Sequence, residues 1–177
     1  MPLMTRETSI ALWQDVIVYA EGRCAVKLTP ELEHYLIVLL SRYMDRPDIA
    51  QQVFATAFLD ALHKQRQQRL ITLQNVGDQC LLMAGLFPQV ANKKRVNITY
   101  FVDLGRSAYA NISNASHDLY WSLAYQFVAM MDVLQSIKKE SDLLPLDAYH
   151  QWDELGSKRA WQVLQQYTNG LPIKKQE

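Results

Sequence analysis

The sequence predicts an all-α fold, a single-domain irregular bundle of about six to eight helices. Apolar residues recur at helical spacing over most of the chain, and helix-start and helix-stop residues separate the periodic segments. Strand signals are confined to residues 96–102, whose β-branched and aromatic composition has no hairpin partner. We therefore expect helix there as well, within one domain that spans residues 1–177.

The N-terminal half of the chain is predicted to form four helices. Thr29 can cap the second helix while Pro30 occupies its first turn, and Pro47 cannot continue that helix but can begin another. The first helix is expected over about 8–21, the second from Pro30, the third from Pro47 to about His63, and the fourth from 64 to about 84.

The C-terminal half is predicted to form four further helices after a loop. Gly85 and Pro88 both favour a loop over residues 85–97, which also contains a basic run at 93–95. The later helices are expected over about 98–112, 116–139, 147–155 and 157–168, followed by a frayed tail from about 169.

The predicted sixth helix, over about 116–139, is apolar on two sides. Trp121, Tyr125 and Val128 add a second face to its main apolar face. A helix of this kind is either central in its bundle or covered by a partner. Because aromatic residues are enriched at protein interfaces, we expect these three side chains to form a self-association or partner surface.

The composition argues against several classes of protein. Hydrophobic residues make up 49% and charged residues 20% of the 177 residues, which is ordinary for a globular domain. Lys plus Arg number 18 and Asp plus Glu number 18, so the basic excess of a dedicated nucleic-acid-binding protein is missing. No apolar run reaches the ~20 residues that a membrane-spanning helix needs.

The two cysteines indicate a reducing compartment. Cys24 and Cys80 lie far apart in apolar stretches, where a buried free thiol is the usual state. The N-terminus has no basic segment followed by an uninterrupted apolar run, so we expect no signal peptide. The sequence therefore predicts a cytoplasmic protein.

Three acid-x-x-His pairs are the sharpest enzymatic signal in the sequence. Two Glu-x-x-His pairs with two further carboxylates can form a di-iron site in a helical bundle. Here only one acid is Glu, and isolated pairs on helices are usually surface ion pairs. We therefore predict no metal, no other cofactor and no catalytic residue. The pairs are Glu31/His34, Asp60/His63 and Asp147/His150.

Asp78 is a carboxylate within an apolar helix, directly after Gly77. A buried carboxylate needs a partner, which Arg95, Arg106 or Tyr100 can supply. Holding the loop in place is the favoured role for such a pair, and contact with a small ligand is the alternative. The candidate residues for anchoring the loop or bordering a ligand are Asp78, Arg95, Tyr100, Asp103 and Tyr109.

Residues 76–109 carry a series of short motifs. They are Gly77-Asp78, Gly85-Leu86-Phe87, Lys94-Arg95, Tyr100-Phe101 and Gly105-Arg106-Ser107-Ala108-Tyr109. The series resembles a family of uncharacterised proteobacterial proteins with the pattern Gly-Asp, Gly-Phe-Phe, a basic pair, Tyr-Tyr and Gly-x-x-Ala-Tyr. This chain departs from the pattern at Leu86 and Phe101. The resemblance implies a bacterial, helical, cytosolic domain, and it implies no catalytic residue.

Two functional predictions of different classes follow. The doubly apolar sixth helix and the missing catalytic constellation favour a non-enzymatic protein-interaction or regulatory module that self-associates, as a homo-oligomer or with a protein partner. The alternative is a small-ligand- or metal-binding helical bundle with enzymatic activity, whose pocket is bordered by the 85–97 loop and Asp78. Neither prediction includes a membrane or a nucleic acid as partner.

Overall fold

The computed structural model describes residues 6–45, 54–89, 96–114, 118–138 and 143–167. Within these residues it has nine α-helices and no strand, so the predicted all-α fold is confirmed. The helices are α1 (Arg6–Cys24), α2 (Pro30–Asp45), α3 (Phe54–Leu62), α4 (Arg66–Leu86), α5 (Ile98–Ile112), α6 (Leu119–Tyr125), α7 (Phe127–Gln135), α8 (Pro145–Leu155) and α9 (Lys158–Tyr167).

Helix α4 is at the centre of the bundle. It packs against α3, α5 and α7, and every residue from 76 to 85 is buried. A helix that is buried on all sides must be enclosed by other helices. Helix α1 completes this arrangement by packing against α2 and α7.

Helices α8 and α9 form a pair with a small apolar core of its own. That core is separate from the main one, and it consists of Leu143, Ala148, Ala160, Val163 and Leu164 with the partly buried Trp152. The pair is attached to the bundle through contacts with α5, α7 and α1. The fold therefore has a junction between this helical pair and the main bundle.

Helices α5 and α6 begin directly after residues whose side chains accept local hydrogen bonds. Asn97 Oδ1 accepts a hydrogen bond from Thr99 N at 3.1 Å and caps α5, while Asp118 Oδ1 accepts from Trp121 N at 2.7 Å and caps α6. Such side-chain acceptors satisfy amide groups that have no partner within the helix. Helix α8 begins with Pro145 in its first turn.

The segment predicted as one helix over 116–139 is divided into α6 and α7. Gln126 separates them with φ −99° and ψ 20°. The sequence has no Pro or Gly near this point, so no residue type marks the break. This division accounts for the ninth helix.

Several predicted features lie outside the described residues. They are the start of the third helix, the basic run 93–95 and the tail from about 169. None of the described helices combines the length and the apolar character needed to cross a bilayer.

Candidate functional site

A cavity of about 360 Å³ lies at the junction between the α8–α9 pair and the main bundle. Its walls come from the end of α4, the start of α5, the end of α7, one face of α8 and the start of α9. This volume falls within the range of small-molecule pockets, which occur preferentially where structural units meet.

Helix α8 supplies four of the polar side chains that line the cavity. Asp147, His150, Gln151 and Glu154 all line the cavity. Their positions follow the i, i+3, i+4, i+7 pattern, so they project from one face of the helix. Gly156 ends α8 in a left-handed conformation with φ 68°, which turns the chain toward α9.

The inner part of the cavity is apolar. Ile98, Leu134 and Leu143 line it and are all buried. A Cβ atom on Gly85 would lie 2.5 Å from Leu134 Cβ, so the absence of a side chain at Gly85 allows α4 to approach α7 closely. The shape of the cavity therefore depends on this glycine.

Gln135 is a buried lining residue with both ends of its amide satisfied. Its Nε2 donates to the backbone oxygen of Ala84 at 2.9 Å, and its Oε1 accepts from Arg159 Nη1 at 2.8 Å. These bonds connect α7 to the end of α4 and to α9. Gln135 therefore acts as a structural cross-link in the cavity wall.

Gln151 differs from Gln135 although both residues are buried to a similar extent. Gln151 is 5% exposed and Gln135 is 6% exposed, yet Gln151 Oε1 accepts no hydrogen bond from any described residue. A buried polar atom without a partner costs about 1–3 kcal/mol of stability. The polar atom in this wall that still needs a donor is therefore Gln151 Oε1.

Glu154 is held against the start of α5. Its Oε2 accepts from Thr99 Oγ1 at 2.5 Å and from Asn97 Nδ2 at 3.4 Å. Its Oε1 lies 3.9 Å from His150 Nδ1, a pair that is ionic only when the imidazole is protonated. Glu154 thus joins the α8 wall to the α5 wall of the cavity.

Two other charged side chains of the wall have weak or no protein partners. Among the described residues, Lys138 Nζ donates only to the backbone oxygen of Leu86, at 3.4 Å. Asp147 makes no hydrogen bond or ion pair with any described residue. These opposite charges are on different walls, and they do not pair with each other.

Asp132 attaches the start of α9 to α7. Its Oδ1 accepts from Ser157 Oγ at 2.5 Å, and its Oδ2 accepts from the backbone nitrogen of Lys158 at 2.9 Å. Burial raises the pKa of Asp132 to about 6, and these hydrogen bonds oppose the rise. Because Asp132 caps α9, it also determines where Arg159 enters the cavity wall.

Asp78 lies outside the cavity, in a buried polar cluster. Its Oδ1 accepts from Tyr35 Oη at 2.5 Å and from Tyr109 Oη at 2.8 Å, and its Oδ2 lies 3.6 Å from Arg42 Nη1. Burial raises the pKa of Asp78 to about 6, against the opposing effects of the two hydroxyls and the guanidinium. The cluster connects α2, α4 and α5.

The described partners of Asp78 differ from Arg106 and Tyr100, which the sequence suggested. A Cβ atom on Gly77 would meet the Tyr109 ring, and one on Gly105 would lie 2.9 Å from Cys80 Cβ. Helices α4 and α5 are therefore antiparallel, and Asp78 is level with Tyr109 near the end of α5. Tyr100 lies near the other end of that helix.

The remaining predicted site residues are not brought together. Tyr100 is exposed and packs edge-on against Phe101, and Asp103 is exposed on α5. Neither residue lines the cavity. Arg95 lies outside the described residues. Of the predicted anchoring residues, the structure joins Asp78 and Tyr109 directly.

The predicted interface residues are only partly at the surface. Tyr125 is 69% exposed, and its ring stacks on that of Trp121 at 5.0 Å with an interplanar angle of 7°. Trp121 is half-buried, and Val128 packs against the main core. The exposed part of this surface is therefore dominated by Tyr125.

The acid-x-x-His pairs are dispersed over the molecule. Glu31 and His34 are exposed on α2, and Asp60 and His63 are exposed at the end of α3. The third pair, Asp147/His150, lines the cavity. The described part of the chain contains no group of three or more His, Cys, Asp or Glu residues arranged to hold a metal ion.

Both cysteines are buried and free. Burial raises the pKa of each thiol, in the case of Cys80 to about 12. A thiol with a raised pKa is a poor nucleophile at neutral pH. Neither cysteine lines the cavity.

Several residues that make the cavity polar were not predicted from the sequence. Gln135, Gln151, Lys138 and Arg159 carry no motif, and their convergence depends on how α7, α8 and α9 pack. One signal was present, because Asp132 and Gln135 interrupt an otherwise apolar helix just as Asp78 does. Buried polar residues of this kind indicate tertiary hydrogen bonds.

Comparison with known proteins identifies no relative. No protein-family model matches the chain, and neither a curated protein nor a solved structure is similar to it at a significant level. The cavity and the surfaces described above are therefore the basis for any functional assignment.

Proposed function

We propose that this chain is a helical module that binds a small ligand in the cavity between the α8–α9 pair and the main bundle. The observation that carries the proposal is Gln151, a buried residue that lines the cavity and whose Oε1 accepts no hydrogen bond from any described residue. An apolar side chain at this position would avoid the cost of burying that oxygen. A donor group on a bound ligand would offset the same cost.

A comparison within the same wall supports this proposal. Gln135 has a similar exposure, and both of its amide atoms are used to hold helices together. A structural role therefore accounts for Gln135 and leaves Gln151 without an explanation. Functional residues often reduce stability in this way, because they are placed for a ligand rather than for the fold.

The proposal is tested by a ligand-observed NMR screen of fragment-sized molecules against the wild type and Val96→Trp. Val96 is partly buried in the cavity wall, so a larger side chain there should fill the cavity. Val38→Trp is the matched control, since Val38 is 38% exposed on α2 and does not line the cavity. We expect molecules that bind the wild type and Val38→Trp but not Val96→Trp. Equal binding to all three proteins would contradict the proposal.

Self-association is a second candidate function, favoured by the stacked pair Trp121 and Tyr125. A large aromatic side chain that is 69% exposed and already ordered by stacking is typical of an interface anchor. Light scattering after size exclusion should then give a multiple of 20.5 kDa, reduced by Tyr125→Lys. Tyr167→Lys, at a residue 61% exposed on α9, is the control. A wild type of single-chain mass at high concentration would remove this candidate.

The same proposal places the protein in a bacterial cytoplasm, without nucleic acid or membrane as partner. Two buried free cysteines and a balanced charge support this placement.

A further inference from the structure

The charged groups of the cavity wall fall into two sets. Glu154 accepts hydrogen bonds from Thr99 and Asn97, and Arg159 donates to Gln135. These two side chains connect helices, so their charges are partly compensated by protein groups. The other set consists of Asp147 and Lys138.

Asp147 and Lys138 are of opposite sign and remain apart. Asp147 has no bonding partner among the described residues, and Lys138 has only the Leu86 backbone oxygen at 3.4 Å. Asp147 belongs to α8, whereas Lys138 follows α7. Two charged side chains on different walls, neither of which has an ionic partner among the described residues, are complementary to a ligand that carries both signs.

Asp147 and Gln151 together favour an ammonium group. They are four residues apart on α8, so their side chains are neighbours on the helix surface. Both carry acceptors, namely a carboxylate and Gln151 Oε1, which accepts no hydrogen bond from any described residue. An ammonium group has three donors and a positive charge, which suits this pair better than a neutral donor does.

The apolar inner part of the cavity defines the rest of the ligand. Ile98, Leu134 and Leu143 provide buried aliphatic surface within a volume of about 360 Å³. This surface fits an aliphatic skeleton, while a carboxylate on the same molecule can reach toward Lys138. A molecule with one aliphatic amino-acid side chain, or two, is of suitable size.

We propose that the ligand is a zwitterion with an apolar skeleton, either an aliphatic amino acid or a short peptide. Its ammonium group contacts Asp147 and Gln151, its carboxylate contacts Lys138, and its aliphatic part packs in the inner cavity. This inference rests on the proposed function, because it requires the cavity to be a binding site.

Isothermal titration with four probes tests the inference. L-leucine and L-leucyl-L-leucine carry both charges, leucinamide carries only the ammonium, and N-acetyl-L-leucine carries only the carboxylate. We expect at least one zwitterion to bind about fivefold or more tightly than either singly charged probe. The tighter of the two zwitterions identifies a free amino acid or a peptide as the ligand.

Two variants assign each charge to its partner. Asp147→Asn should lower the affinity for the zwitterion and for leucinamide about fivefold and leave the affinity for N-acetyl-L-leucine unchanged. Lys138→Met should lower the affinity for the zwitterion and for N-acetyl-L-leucine and leave the affinity for leucinamide unchanged. The controls are Asp153→Asn and Lys158→Met, which change exposed residues of α8 and α9 that do not line the cavity. Neither control should alter any affinity.

The outcomes separate this inference from the proposed function. The inference is overturned if the zwitterions bind no more tightly than the singly charged probes, or if both variants affect all probes alike. If no probe binds while Val96→Trp still removes binding of other small molecules, the ligand class is wrong and the cavity remains a binding site. If Val96→Trp removes no binding at all, both proposals are overturned.

Discussion

The hydrogen-bond partners of the buried polar side chains distinguish structural residues from candidate ligand-binding residues. The described core contains eight of them, and two of their atoms lack a hydrogen-bond partner: Asp78 Oδ2 and Gln151 Oε1. Asp78 Oδ2 has Arg42 Nη1 at 3.6 Å as electrostatic compensation. Gln151 Oε1 accepts no hydrogen bond from any described residue, which is why we assign it to a ligand.

The raised pKa of Asp78 predicts how stability depends on pH. The native pKa is about 6 and the ordinary value is 3.8, so between these values the native state binds more protons than the unfolded state. The contribution of Asp78 to the unfolding free energy is complete below about pH 4 and is lost as the pH rises through about 6. The lost contribution is about 3 kcal/mol, since one pKa unit corresponds to 1.36 kcal/mol.

The variant Asp78→Asn should remove this loss, because Asn can still accept from Tyr35 and Tyr109 without becoming charged. Urea unfolding at pH 4 and pH 7 should show a smaller decrease in the variant than in the wild type, by about 3 kcal/mol. Asp15→Asn, on an exposed part of α1, should keep the wild-type difference. If the unfolding free energy changes by the same amount between pH 4 and pH 7 in the wild type and in Asp78→Asn, this account of Asp78 is refuted.

At the scale of elements, the end of α1 is strained. Ala25 has φ 54°, in the left-handed region, and Val26 N donates to Glu21 O at 3.2 Å, as in a Schellman motif. Glycine is the residue that adopts this conformation without steric strain. The first helix was expected to end at about residue 21, directly before Gly22, but α1 continues to Cys24.

Ala25→Gly should therefore stabilise the protein by about 1 kcal/mol. The same substitution at Ala11, an exposed residue within α1, should destabilise it by about 1 kcal/mol because its backbone is helical. Chemical denaturation of both variants measures the two effects. If both variants lose stability to the same extent, the left-handed conformation of Ala25 does not destabilise the native state.

The helix predictions are accurate where interactions between neighbouring residues determine the helix. Helix α5 was expected over 98–112 and is found at Ile98–Ile112, because its periodicity and the cap at Asn97 are encoded in neighbouring residues. The division at Gln126 was not predictable, since neither Pro nor Gly occurs there. Such a break depends on how the two halves pack against other helices.

The candidate site was predictable only in part for the same reason. Asp78 could be recognised as a buried carboxylate in need of partners, and one predicted residue, Tyr109, is indeed bonded to it. Its other partners, Tyr35 and Arg42, come from α2, more than thirty positions earlier in the chain. The cavity likewise requires five helices to meet, and no spacing within one helix predicts that.

At the scale of the whole molecule, Asp132 holds the α8–α9 pair to the bundle. Asp132→Ala would remove the acceptor for Ser157 Oγ and for the first amides of α9, at a cost of about 2 kcal/mol. Hydrogen exchange should then become about 30-fold faster in residues 145–167 and stay unchanged in α4. Asp118→Ala, which removes the cap of α6, should leave 145–167 protected. Uniform acceleration by Asp132→Ala would show that the pair is not a separate unit.

The most direct test of the central claim is to measure, in Gln151→Met, the affinity for a molecule whose binding to the wild type is abolished by Val96→Trp. Met has a similar length and no polar atom that requires a donor, so the unfolding free energy should rise by about 1 kcal/mol. The affinity should fall at least about tenfold, as expected for the loss of a buried hydrogen bond and its replacement by an apolar group. Gln135→Met, by contrast, should lose stability, because two hydrogen bonds are broken. Unchanged affinity in Gln151→Met, with a loss of stability as large as that of Gln135→Met, would contradict the account.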